Sequence, residues 1–313
     1  MVQGPNLPIG AESEFLLLIY HLIFVPAILI DLYVGQRMTH DMTLKEALTW
    51  VIIWISMASM WGILILLRFG IEASALYFAS YVVEYSLSVD NLFVFLVIFQ
   101  YFNVPFKSQH KTLYIGILTA VILRGVFIFG GIALIEMYHW IVYIFAIVLI
   151  ISGIKLATAE EAKVEPEKNP IVRLAKKYLP ITHEYEGSKF IVRRGGRTYF
   201  TPLIIVLLAI ETTDVMFAFD SVPAVIAITQ NFFLAYTSNI SAVLGLRSLY
   251  FALAIVMFKL RYLSKGLAIV LTFLGIKIFA PLIGYKIPLP ISIGIVLGII
   301  FVSVILSILR RQE

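Results

Sequence analysis

Nine apolar runs, each about as long as a bilayer is thick, leave this chain few ways to fold. They lie at about 14 to 33, 47 to 67, 74 to 101, 112 to 135, 138 to 157, 200 to 228, 233 to 260, 264 to 283 and 289 to 309. A helix needs roughly 20 apolar residues to cross the hydrocarbon core, and in lipid only helices and closed barrels satisfy their own backbone. The runs predict an all-α polytopic membrane protein of about nine transmembrane helices. Composition agrees: 61% of the 313 residues are hydrophobic and 14% charged, with a mean hydropathy of +0.97, outside the range of ordinary soluble domains.

The charges fall between the runs, and their sign sets the orientation. With the N-terminus outside, the inner segments collect Arg37, Lys45, Lys107, Lys111, the basic connector, Lys259, Arg261, Lys265, Arg310 and Arg311, against Arg68 and Lys286 outside. That asymmetry predicts N-out and C-in. It also accounts for the net charge of +5 without a nucleic-acid partner. The chain has no cysteine, which excludes disulfides, thiolate metal sites and thiol nucleophiles. The first thirteen residues carry no Lys or Arg, so the first helix is expected to stay uncleaved.

One polar segment is long, about 158 to 199. Within it PIVRLAKKYLP puts Ile171, Leu174, Tyr178 and Leu179 near one helical face and Arg173, Lys176 and Lys177 on another, as in a helix lying on the inner membrane surface. Gly195-Gly196 between two short β-prone runs predicts a hairpin. The expected role is a solvated basic linker.

Five acids interrupt the apolar runs: Glu84 and Asp90 in EYSLSVDNLFVF, and Glu211, Asp214 and Asp220 in ETTDVMFAFDSVPA. Charged and unpaired, they would cost roughly 12 to 17 kcal/mol on insertion scales. They must therefore face one another, a cation or water. On a regular helix Glu84, Ser88 and Asn91 share a face, as do Glu211 and Asp214, while Asp90 and Asp220 point elsewhere. Pro223 cannot donate to the carbonyl of Phe219, so an unwound or kinked sixth span is expected there, turning Asp220 inward.

The chain also resembles itself. Asp90 precedes Arg124 by 34 residues and Asp214 precedes Arg247 by 33; AIVLIISGIK ends at Lys155 and AIVLTFLGIK at Lys277. Three spans per copy imply inverted copies, 74–157 and 200–283, with helices 1 and 2 (14–67) and 9 (289–309) outside them. Inverted repeats commonly place a substrate site at their interface near the midplane. Five acids against Arg124, Arg247 and Lys277 leave an excess of two negative charges, which one divalent cation would match. Carboxylates, the Asn91 amide and the hydroxyls of Ser88, Thr212, Thr213 and Ser221 are hard oxygen donors suited to Mn²⁺, Mg²⁺ or Ca²⁺. Arg124 and Arg247 read as counter-ions, and Asn239 as an interhelical hydrogen-bonding residue.

At these motifs, and at SNISAVLGLRSLYF (Ser238 to Phe251), the chain resembles the TerC family of integral membrane proteins over essentially its whole length. The resemblance implies an inner-membrane protein of the Alx-like branch, related to the LysE transporter superfamily and associated with Mn²⁺ export. By motif position it makes Glu84, Asp90, Glu211, Asp214 and Asp220 the metal-path acids. The expected function is export of a divalent cation, with Mn²⁺ as transported substrate and no permanently bound cofactor. The bilayer is the expected partner, and a homo-oligomer is compatible. Tellurite, an oxyanion, fits an acidic site poorly, so a tellurite phenotype is expected to be indirect. The competing reading is a non-transporting scaffold or assembly factor in metal or tellurite stress. An enzyme is not expected, because no nucleophile, base and oxyanion site come together.

Overall fold

The computed structural model describes residues 10–37, 42–158, 169–256, 261–285 and 287–309. Its helices are α1 (Ala11–Arg37), α2 (Leu44–Phe69), α3 (Ile71–Tyr101), α4 (Phe106–Met137), α5 (Ile141–Thr158), α6 (Pro170–Tyr178), α7 (Pro202–Ile228), α8 (Phe232–Leu244), α9 (Leu246–Val256), α10 (Arg261–Phe279) and α11 (Leu289–Leu309). Among the described residues nine spans are long and apolar enough to cross a membrane, α8 and α9 together forming one.

The helices turn their apolar surface outward. Leu67 is 82% exposed and Ile122 67%, while Glu84 and Arg124 are fully buried. A soluble protein does the reverse; here lipid covers the apolar rim and the charges must be satisfied inside.

The core is built from α3, α4, α7 and α8. Helix α3 packs on α7 and α8, α4 packs on the same two, and α5 lies along α10. Glycine makes that last contact close. A Cβ at Gly153 would meet the Ala268 carbonyl at 2.7 Å, and one at Gly275 would meet the Ala146 carbonyl at 2.6 Å. Small residues let membrane helices approach in this way.

One expectation about the spans turns out differently. Helix α7 runs unbroken through Pro223, so the segment bearing Asp220 is not unwound. A membrane helix tolerates one missing hydrogen bond where neighbours cover the freed carbonyl. The interruption falls in the next span, at Gly245, where an added Cβ would stand 3.3 Å from Trp54 Cβ of α2.

The connector is folded from residue 169 onward. Strands β1 (Ile191–Arg194) and β2 (Arg197–Phe200) form the expected antiparallel hairpin. Gly195 and Gly196 have φ of 55° and 77°, as a two-residue primed turn requires. Asn169 caps α6 and its amide donates to Thr212 Oγ1 of α7 at 2.7 Å. Tyr185 donates to the Phe102 carbonyl at the end of α3 (2.7 Å), and burial pushes its hydroxyl above the usual tyrosine range. The connector therefore packs on the motif helices instead of hanging free. Helix α6 buries Val172 and Ala175 and leaves Ile171, Leu174 and Tyr178 exposed.

Candidate metal site

The site centres on Arg124, fully buried on α4. A guanidinium there must find acceptors within its own reach, and it finds them on three helices. It pairs with Glu84 of α3. Its Nη2 lies 3.4 Å from Asp214 Oδ1 of α7, and its Nη1 lies 3.4 Å from Ser221 Oγ and 3.5 Å from Asn239 Oδ1 of α8. Asn239 also donates to Glu84 Oε2 at 2.8 Å, and Ser88 donates to Glu84 Oε1 at 3.3 Å. Amide, hydroxyl and guanidinium thus converge on one carboxylate, while the Asp214 contact is longer and weaker.

Glu211 lies near Asp214 on the face of α7 toward α4. Its carboxylate oxygens are buried, close to Thr119 of α4 and to Gly116, where a Cβ would stand 3.7 Å from Oε1. Beside it is a cavity of about 20 Å³ lined by Leu92 and Phe95 of α3, Gly116 and Ala120 of α4, Ile210 and Asp214 of α7, and Leu246 and Arg247 of α9. Its surface is almost wholly apolar, so it is a small packing void and not a preformed ion site.

The other expected site residues are placed as follows. Asn91 is buried in α3, three residues beyond Ser88. The side chain of Asp90 lies outside the described residues. Asp220 faces α5, where Ser152 Oγ donates to its Oδ1 at 2.5 Å; it is not turned into the Arg124 network. Among the described residues Arg247 pairs with an acid outside the two motifs. Its Nη2 bonds Asp31 Oδ1 of α1 at 2.6 Å. Lys277 is half-buried at the end of α10 and makes no ion pair among the described residues. The simple balance of five acids against three bases is therefore corrected. Asp31 supplies a sixth acid, and Lys277 stands apart.

Asp31 was missed because it sits near the end of an apolar run, where an acid reads as a boundary residue. The one available signal was its place inside the span, two residues before the run ends. Among the described residues no three carboxylate or imidazole side chains converge closely enough to hold a metal ion. The physical reason is on view: between Glu84 and Asp214 lies the Arg124 guanidinium, a cation the chain carries itself.

Fold and buried charge together define a polytopic α-helical membrane protein with an acidic network in its core. The chain belongs to the TerC family: the family described as integral membrane protein TerC matches residues 69–313. It is 40% identical to STKORF319 of Myxococcus xanthus, an uncharacterized membrane protein, over 93% of this chain and 91% of that one. It is also 40% identical to a protein of Escherichia coli K12 provisionally named membrane-bound redox modulator Alx, over 87% of each chain. A membrane protein of Rickettsia bellii is 36% identical over 94% of this chain and 97% of its own. No solved structure matches.

Proposed function

We propose that this protein is a transporter, not an enzyme, and that it exports a divalent cation, Mn²⁺ first among the candidates, through the Glu84–Asp214 network. The observation that carries the reading is the Arg124 guanidinium between two buried carboxylates. It neutralises the empty site, which the bilayer requires, and it occupies the place a cation would take.

Elementary electrostatics then favours charge two over charge one. A unit pair at 4 Å is worth about 4 kcal/mol at an effective dielectric of 20, so a monovalent ion replacing Arg124 gains nothing and a divalent ion roughly doubles the attraction. Once displaced, Arg124 keeps Ser221 and the Asn239 carbonyl as neutral acceptors. Glu211, buried on the same helix as Asp214 and close to Thr119, supplies a further carboxylate on the path, and Asn91 and, by its motif position alone, Asp90 are the further candidates on α3. Hard oxygen ligands suit Mn²⁺, Mg²⁺ and Ca²⁺.

Alternating access is assigned to the two repeats, with the N-terminus outside and the connector within the cell, in the inner membrane. The reciprocal glycine contacts of α5 and α10 support the inverted relation, since Gly153 meets Ala268 as Gly275 meets Ala146. The redox description of the Alx relative is compatible. A chain without cysteine has no thiol of its own, so a redox effect would be exerted through the metal or a partner.

Calorimetric titration of the purified protein with Mn²⁺ tests the reading. Saturable binding that is lost in Asp214→Asn and Glu84→Gln, both still folded, is expected. No binding of Mn²⁺, Mg²⁺ or Ca²⁺ to folded wild type would favour a scaffold instead.

A further inference from the structure

From the Arg124 network toward the Ile71 end of α3 and the Met137 end of α4, the four core helices change character turn by turn. One turn from Glu84, Arg124, Ser221 and Asn239, about 6 Å along their helices, stand Ser80 of α3, Ile128 of α4, Val225 of α7 and Ala235 of α8. All four are fully buried, and Ile128, Val225 and Ala235 belong to one packed apolar cluster. One turn further come Leu76, Ile132, Thr229 and Asn231. These line an open cavity of about 710 Å³, with Glu136 and Gln230 also in its wall. A single layer of side chains therefore separates the buried charges from the cavity.

The cavity and the layer have the two properties an ion path needs in series. The cavity is far larger than the roughly 30 Å³ share of one water, and its wall mixes carboxylate, amide and hydroxyl groups with apolar ones, so it can hold an ion that keeps its own hydration shell. The layer is dry, and a hydrophobic constriction closes a path by excluding water. Ser80 is its exception. The Ser80 hydroxyl is buried with no hydrogen-bond partner among the described residues, a cost that a permanently dry layer has no reason to carry and that water entering an opened layer would remove. We infer that Ser80, Ile128, Val225 and Ala235 form the outer gate of the cation path, and that the cavity beyond them is the mouth through which the hydrated ion leaves. This rests on the export reading above, which puts that end of the bundle outside. Neither place has to coordinate the ion: the mouth has to be wet, and the layer has to be dry when closed.

The chain has no cysteine, so single introduced cysteines report water access without background. The test is the rate at which a membrane-impermeant thiol reagent, added outside proteoliposomes, modifies each variant with and without Mn²⁺ loaded inside. Gln230→Cys, in the mouth, should react quickly in both conditions. With the open form at about 10% or less of molecules, Val225→Cys should react at least about tenfold more slowly without metal and speed up severalfold when Mn²⁺ is loaded. Ala235→Cys, in the same layer on another helix, should behave alike and guards against a local defect at Val225. The Mn²⁺ effect should vanish when Asp214→Asn is added to Val225→Cys. Gel filtration and thermal unfolding of each variant report folding separately. Unreactive Gln230→Cys overturns the inference, as do layer cysteines that react as fast as Gln230→Cys without metal. Layer cysteines that stay unreactive while the same proteoliposomes show saturable Mn²⁺ flux also overturn it, and leave the export reading intact. Folded wild type with no saturable flux of any divalent cation removes the export reading and this inference with it.

Discussion

Replacing Arg124 with glutamine should destabilise the protein when empty and make it more responsive to metal. Arg124 is exposed to neither lipid nor water and touches Glu84, Asp214, Ser221 and Asn239. Glutamine is shorter and neutral, so Glu84 keeps only Ser88 and Asn239, and Asp214 loses its cation. Removing one partner of a buried ion pair costs about 3–5 kcal/mol. Two carboxylates lose their partner here, which puts the figure toward the upper end, and protonation of one of them caps it. For a chain of this size the loss lowers the melting temperature by on the order of 6–10 °C. Mn²⁺ then has no guanidinium to displace. At a hundred times its dissociation constant it should return about 2.7 kcal/mol, more than it adds to wild type. Differential scanning fluorimetry in detergent, with and without Mn²⁺, reads both effects. An empty Arg124→Gln protein as stable as wild type, or a Mn²⁺ shift larger in wild type, would refute the idea that arginine and metal share one place.

Other substitutions have sharper structural readouts. Gly275→Leu drives a side chain into the Ala146 carbonyl and Ile150 and should cost about 1–3 kcal/mol or more by overpacking, seen as a lower melting temperature; Gly153→Leu should match it if the two contacts are equivalent. Asp220→Asn keeps a partner for Ser152 and lies off the Arg124 network, so equilibrium Mn²⁺ binding should change by no more than about threefold, while Asp214→Asn abolishes it in the same titration. Asn169→Ala removes the α6 cap and the bond to Thr212, costing about 1 kcal/mol, and should speed hydrogen exchange of α6 amides without moving those of α7.

The spans were legible because lipid permits so few structures: apolar length alone placed nine helices. The hairpin was legible because only a short turn with positive φ joins two strands across two residues, and glycines occupied both positions. The helical wheel also separated Asp220 from Asp214 correctly, and α5 is what Asp220 meets. Other features depended on three-dimensional neighbours. Proline at 223 gave the stronger local signal for a break, yet α7 holds while the quieter Gly245, pressed against Trp54, interrupts its span. The partner of Arg247 was beyond reach, since no periodicity connects Asp31 to a residue 216 positions away. The connector looked solvated by composition, but a few specific bonds from Asn169 and Tyr185 fasten it to α7 and α3.

The central claim is that a divalent cation crosses the membrane through carboxylates that Arg124 otherwise satisfies. Mn²⁺ flux into liposomes carrying purified wild type, Glu84→Gln or Asp214→Asn protein tests it most directly. Saturable flux by wild type, absent from both folded variants, is the predicted result. Equal flux in all three, or none above empty liposomes for Mn²⁺, Mg²⁺ and Ca²⁺ alike, would contradict it.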